Sequence, residues 1–175
     1  MRILSSLLLV AGFLPLIKKL SHTQRRVFFF MYVACILFVT LGIRSYDDES
    51  VIVIDLLMPY QKIAGVFMRG YHVGGWREFL RRILSNNAPL ESVVLNILLF
   101  VPFGYILPCT SDSFIGFWKV VGAGVALSLF IETVQLITHL GWFDVSDIIH
   151  NGLGAMIGYL FYKRFLCRQS SKHKK

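Results

Sequence analysis

Five apolar runs set what this chain can fold into: Ile3 to Ile17, Val27 to Ile43, Val93 to Leu107, Phe114 to Thr138 and Val145 to Tyr162. A helix needs roughly 20 residues to cross a bilayer, so runs of this length in a chain of 175 residues leave room for little besides spans. With 55% hydrophobic and 16% charged residues and a mean hydropathy of +0.64, the sequence predicts an all-α integral membrane protein. About five transmembrane helices in a single membrane domain, residues 1–175, are expected. The first run is short and carries Pro15. Lys18 and Lys19 follow it with no small-residue cleavage site, so a retained helix is expected rather than a removed signal peptide.

The net charge of +8 does not indicate a nucleic-acid partner, because the basic residues flank the apolar runs as helix anchors do. Lys18, Lys19, Arg25 and Arg26 lie between the first two runs. Lys163, Arg164, Arg168, Lys172, Lys174 and Lys175 follow the last. Four crossings separate these segments, so the positive-inside rule places both in the cytoplasm, with the N-terminus outside and the C-terminus inside. Arg44 to Ser92 is then external. Within it, Trp76, Phe79, Leu80, Ile83 and Leu84 alternate with Arg77, Glu78, Arg81 and Arg82, which predicts an amphipathic helix lying in the interface.

Polar residues inside apolar runs carry the functional reading, since an ionisable group in hydrocarbon needs a partner or a task. Glu132, Gln135 and His139 follow at i, i+3 and i+7 on one face of the fourth helix. Asp147, Asn151, Gly154 and Gly158 form one face of the fifth. Under the proposed topology these groups, with Asp144 and Asn96, converge near the outer leaflet. Such a cluster suits a lipid headgroup, a cation or the polar part of a substrate. The structural alternatives are interhelical hydrogen bonds for Asn96, Gln135 and Asn151, and a helix cap for Asp144. His139 and His150 read as interfacial or packing residues. The Gly154/Gly158 pair reads as a close-packing face, with Gly122, Gly124 and Ala126 on the fourth helix as its opposite surface in a tight hairpin.

Cys35, Cys109 and Cys167 show no disulfide or thiolate-metal spacing, and no cofactor or metal is expected. No nucleophile motif or phosphate loop is present, so no catalytic residue is named and the balance is against an enzyme.

Three ordered stretches, Asn96-Ile-Leu-Leu-Phe-Val-Pro-Phe-Gly104, Glu132-Thr-Val-Gln135 and Asp144-Val-Ser-Asp147-Ile-Ile-His-Asn151-Gly-Leu-Gly154 with Gly158, resemble the motifs of the VanZ family. The resemblance spans about residues 93–165. That family is named for a membrane protein linked to teicoplanin resistance in Gram-positive bacteria. The resemblance implies motif positions at Asn96, Pro102, Gly104, Glu132, Gln135, Asp144, Asp147, Asn151, Gly154 and Gly158. Pro102, Gly104, Gly154 and Gly158 are expected to serve helix packing. Many relatives carry an arginine just before the first aspartate of the third motif, whereas this chain reads Gly141-Trp142-Phe143.

The expectation is a multi-pass protein of the bacterial cell membrane that lowers glycopeptide susceptibility through its polar cluster. Its partners would be membrane lipids, a lipid headgroup or a cell-wall precursor, with a homo-oligomer left open. The alternatives are a membrane enzyme acting on a lipid-linked phosphate or sugar, and a small transporter or assembly subunit.

Overall fold

Two of the helices begin where a side chain takes over unpaired backbone groups, Ser21 and Asp144. The computed structural model describes residues 17, 20–42, 51–65 and 88–172, with side chains described over 90–164 of the last stretch. The first helix, α1 (His22–Leu37), starts at Ser21, whose hydroxyl accepts from the Gln24 N–H while the Gln24 amide oxygen accepts from the Ser21 N–H. This reciprocal box satisfies two donors that a bare helix end leaves unpaired. Helix α1 continues into a π-helical turn, Phe38–Gly42, so that the apolar helix runs to Gly42.

The chain next forms a short strand, β1 (Ile52–Val53), and helical backbone over 58–65 with Pro59 in its first turn. Helix α2 (Ala88–Thr110) passes through Pro102 and Pro108 without ending. A turn capped by Ser111 leads into α3 (Phe117–Thr138), which stops at His139 in the left-handed conformation, φ 56°. A second short strand, β2 (Phe143–Asp144), runs directly into α4 (Val145–Lys172). Strands β1 and β2 pair in parallel, Ile52 opposite Phe143 and Val53 opposite Asp144. The segment after α1 is thereby stitched onto the α3–α4 turn.

Helix α2 is the hub, packing most extensively against α4. Glycine explains how close they come. A Cβ on Gly104 would fall 2.0 Å from the Ala155 carbonyl oxygen, one on Gly154 2.2 Å from the Ile97 oxygen, and one on Gly158 2.0 Å from the Val101 oxygen. Only hydrogen fits at these three positions, so the two backbones lie in direct contact. The expected partner of the glycine pair was the neighbouring helix α3, and here the structure differs. Gly154 and Gly158 face α2, while a methyl added at Gly122 of α3 would meet no atom within 4 Å and one at Gly124 would meet the Ala155 side chain. A small-residue spacing states that a helix is approached, not by which one. That face is occupied by α2 of the same chain.

Phe100, Phe103, Leu107, Val120, Ile131, Ala155 and Tyr159 form the main core, with Ile36 from α1 packed into it. Outside it, Phe30, Met31 and Phe38 of α1, Trp118, Phe130 and Ile137 of α3, and Leu160 and Phe161 of α4 are exposed. Such a rim of large apolar side chains belongs against lipid.

Among the described residues, three helices are long and apolar enough to cross a membrane: His22–Gly42, Leu90–Thr110 and Phe117–Thr138. Helix α4 is long enough but carries Asp147, His150 and Asn151 in its first turns. Apart from Ile17, the expected first span lies outside the described residues, as does the expected interfacial helix over Trp76 to Leu84.

The polar end of the bundle as a candidate functional site

The chain alternates direction through its four described helices, so the end of α1, the start of α2, the end of α3 and the start of α4 share one end of the bundle. This is the polar end. At the other, Arg26 Nε donates to the Thr110 carbonyl at 3.1 Å, and the Tyr159 hydroxyl donates to the Ile115 carbonyl at 2.8 Å. Those bonds tie the start of α1 and the later turns of α4 to the α2–α3 connection.

At the polar end, Glu132 is buried at 3% exposure, and its Oε2 accepts from the Asp144 backbone N–H at 2.9 Å. Asp144 in turn accepts from the Ser146 N–H at 2.8 Å, the geometry of an N-cap on α4. Two of the motif carboxylates are therefore joined through one residue of the α3–α4 turn. One turn further along α3, Gln135 donates from Nε2 to the Thr40 carbonyl at 2.9 Å, at the end of α1, where backbone oxygens lack helical partners. Deeper, Asn151 donates from Nδ2 to Ser128 Oγ at 2.8 Å, linking α4 to α3. Asn96 precedes Ile97, whose carbonyl abuts Gly154, less than one turn of α4 beyond Asn151. Asp147 lies in the first turn of α4.

His139 does not extend the Glu132–Gln135 face as its spacing suggests. The helix ends at Thr138, and the His139 N–H turns back onto the Gln135 carbonyl. His150, by contrast, is more than a packing residue. It is 1% exposed, and its Nε2 shares a 2.7 Å hydrogen bond with the Tyr60 hydroxyl, the rings meeting edge to face at 5.8 Å. Sequence reasoning missed Tyr60 altogether. The available signal was the position of His150 between Asp147 and Asn151, at i+3 from the first.

Among the described residues, five side-chain atoms at this end are buried without a hydrogen-bond partner: Asn96 Nδ2, Gln135 Oε1, Ser146 Oγ, His150 Nδ1 and Asn151 Oδ1. A buried polar atom left unpaired costs about 1–3 kcal/mol, and folded proteins carry few. Three of them, on Gln135, His150 and Asn151, belong to residues that pair across the bundle with their other atoms, and the five comprise a donor, two acceptors and two groups able to play either part. The arrangement suits a neutral or cationic guest that is rich in hydrogen-bonding groups. No group of three or more potential metal ligands occurs among the described residues.

Comparison with known proteins assigns the chain to a family. The family model described as VanZ/LLP1 matches residues 26–167, taking in most of α1 as well as the three motif stretches. The chain belongs to the VanZ/LLP1 family. It is 34% identical over 72 residues to Protein VanZ of Enterococcus faecium, an alignment that covers 41% of this chain and 44% of that one. The aligned stretch thus spans less than half the length of this relative. No solved structure matches the chain. Family membership and three spanning-length helices together make this VanZ-like chain a membrane protein.

Proposed function

We propose that this VanZ-like chain is a multi-pass protein of the bacterial cell membrane whose polar end binds the headgroup of a lipid or cell-wall precursor, lowering susceptibility to glycopeptides such as teicoplanin. The observation that carries this reading is the set of five buried, unpartnered polar atoms on the motif helices beside Glu132 and Asp144. Supporting it, Arg25, Arg26, Lys119, Lys163 and Arg164 lie toward the opposite end, so the positive-inside rule turns the polar end outward. With α4 as a crossing, the C-terminus is cytoplasmic, and Ile3 to Ile17 as a fifth span puts the N-terminus outside. Glycopeptides act on that outer face. The test is the teicoplanin and vancomycin susceptibility of a sensitive Gram-positive host carrying native chain, the Glu132→Gln variant or empty vector at matched membrane levels. Protection by the native chain and its loss in the variant are expected; equal protection by both removes the polar end from the account.

The His150–Tyr60 pair favours a second reading. A buried imidazole with one unpartnered nitrogen, within reach of the Asp144 charge, is the equipment of proton transfer. A membrane enzyme acting on a lipid-linked phosphate or sugar would use it so. Purified chain that leaves every envelope lipid unchanged, with and without divalent cations, rules against this alternative.

A further inference from the structure

At the basic end of the bundle, α1 and α3 stand apart around a groove of about 430 Å³ floored by α2. Its walls are apolar: Phe29, Phe30 and Val33 from α1, Phe103 and Leu107 from α2, and Leu127 from α3, with the small Ala123 one turn before Leu127 leaving the space. Toward the helix ends Arg26, Thr110, Ser111 and Phe114 border it. From Arg26 to Val33 is seven residues, or about 10 Å along α1. The groove is thus an apolar shaft with the Arg26 side chain at its end, and it lies at the opposite end of the bundle from Glu132 and Gln135.

Arg26 is the one charged side chain among the described lining residues. Its Nε is held by the carbonyl of Thr110, the last residue of α2, and this is the bond that fixes the guanidinium at the end of the shaft. A guanidinium carries five N–H donors, so the edge bearing the terminal nitrogens is left to face a ligand, and that edge fits two phosphate oxygens. Ser111 Oγ accepts from the Ser113 N–H, which leaves its own O–H to donate. A fixed cation and a hydroxyl at the end of an apolar shaft are complementary to a phosphate ester joined to an acyl chain.

We propose that this groove is a binding site for an anionic phospholipid, with one acyl chain between α1 and α3 and its phosphate on Arg26. The site is separate from the polar end and does not depend on the function assigned there. Arg25 provides an internal control, because its Nε is turned to the Leu20 carbonyl and it does not line the groove.

The experiment is native mass spectrometry of the full chain in detergent micelles, with phosphatidylglycerol and the phosphate-free diacylglycerol of identical acyl chains as probes. Native chain is expected to retain phosphatidylglycerol with a preference of about tenfold, the scale of a charge-assisted phosphate contact. Arg26→Gln should bring the ratio near one, Arg26→Lys should keep most of it, and Arg25→Gln should leave it unchanged. Ala123→Phe, which fills the shaft while sparing Arg26, should reduce retention of both lipids. Equal retention of the two lipids by the native chain overturns the proposal, as does a preference that survives Arg26→Gln. Undiminished retention in Ala123→Phe overturns it too, and because that variant keeps the Arg26–Thr110 bond, its result stands even if Arg26→Gln is poorly folded.

Discussion

The seam between α2 and α4 and the polar end of the same helices are built on opposite terms. Along the seam, Gly104, Gly154 and Gly158 let backbone meet backbone, and no room remains for a single added carbon. At the polar end, Asn151, His150 and Ser146 each keep a buried atom without a partner, and Asn151 is less than one turn from Gly154. Close packing of this kind stabilises a bundle that has no hydrophobic drive between its helices in lipid. Unsatisfied polar atoms do the reverse. Under the proposed function these are the atoms a bound headgroup would pair with, and the rigid seam holds the motif helices in place for it.

Substitutions separate the two regions. The largest effect is expected in the seam: Gly158→Leu should leave no folded protein in the membrane fraction, and even Gly158→Ala should cost about 1–3 kcal/mol by forcing α2 and α4 apart, read by thermal unfolding in micelles. Glycine as such is not the cause. Gly122→Ala, where the added methyl meets nothing within 4 Å, should be neutral or more stable by up to about 1 kcal/mol through helix propensity. A similar loss at both glycines would break the comparison. Between these extremes, Tyr60→Phe removes a single hydrogen bond to His150 and should cost about 1 kcal/mol. If the polar end acts through His150, the same variant should also weaken glycopeptide protection by more than that loss of stability explains.

Much of the bundle was legible because hydropathy and helix length speak locally. The runs from Val27, Val93 and Phe114 correspond to α1, α2 and α3, although α1 and α2 begin five residues earlier than their apolar runs, at His22 and Ala88. Apolar runs mark the buried part of a helix, whereas Ser21 and Gln24 decide where its backbone starts. Glu132, Gln135 and Asn151 were legible as one end of the bundle from topology and spacing alone. What escaped was every contact set by packing between distant segments. Tyr60 meets His150 across 90 positions, and the β1–β2 pairing that brings it there joins two-residue strands with no periodicity to detect. His139 escaped for the opposite reason, since one left-handed residue ends the helix just before the polar face would reach it. The Arg26 groove was invisible because it depends on how far α1 and α3 stand apart.

The central claim is that the polar end exists for binding rather than for folding, and Gln135→Met tests it most directly. The substitution keeps length and removes both the bond to Thr40 and the unpartnered Oε1. The loss of Oε1 removes one unpartnered atom, whereas the Thr40 carbonyl loses its donor at a cost of about 1–3 kcal/mol. The account therefore predicts a variant that still folds, destabilised by no more than about 3 kcal/mol, and yet gives no glycopeptide protection. A folded variant with full protection, or one that fails to fold at all, would contradict it.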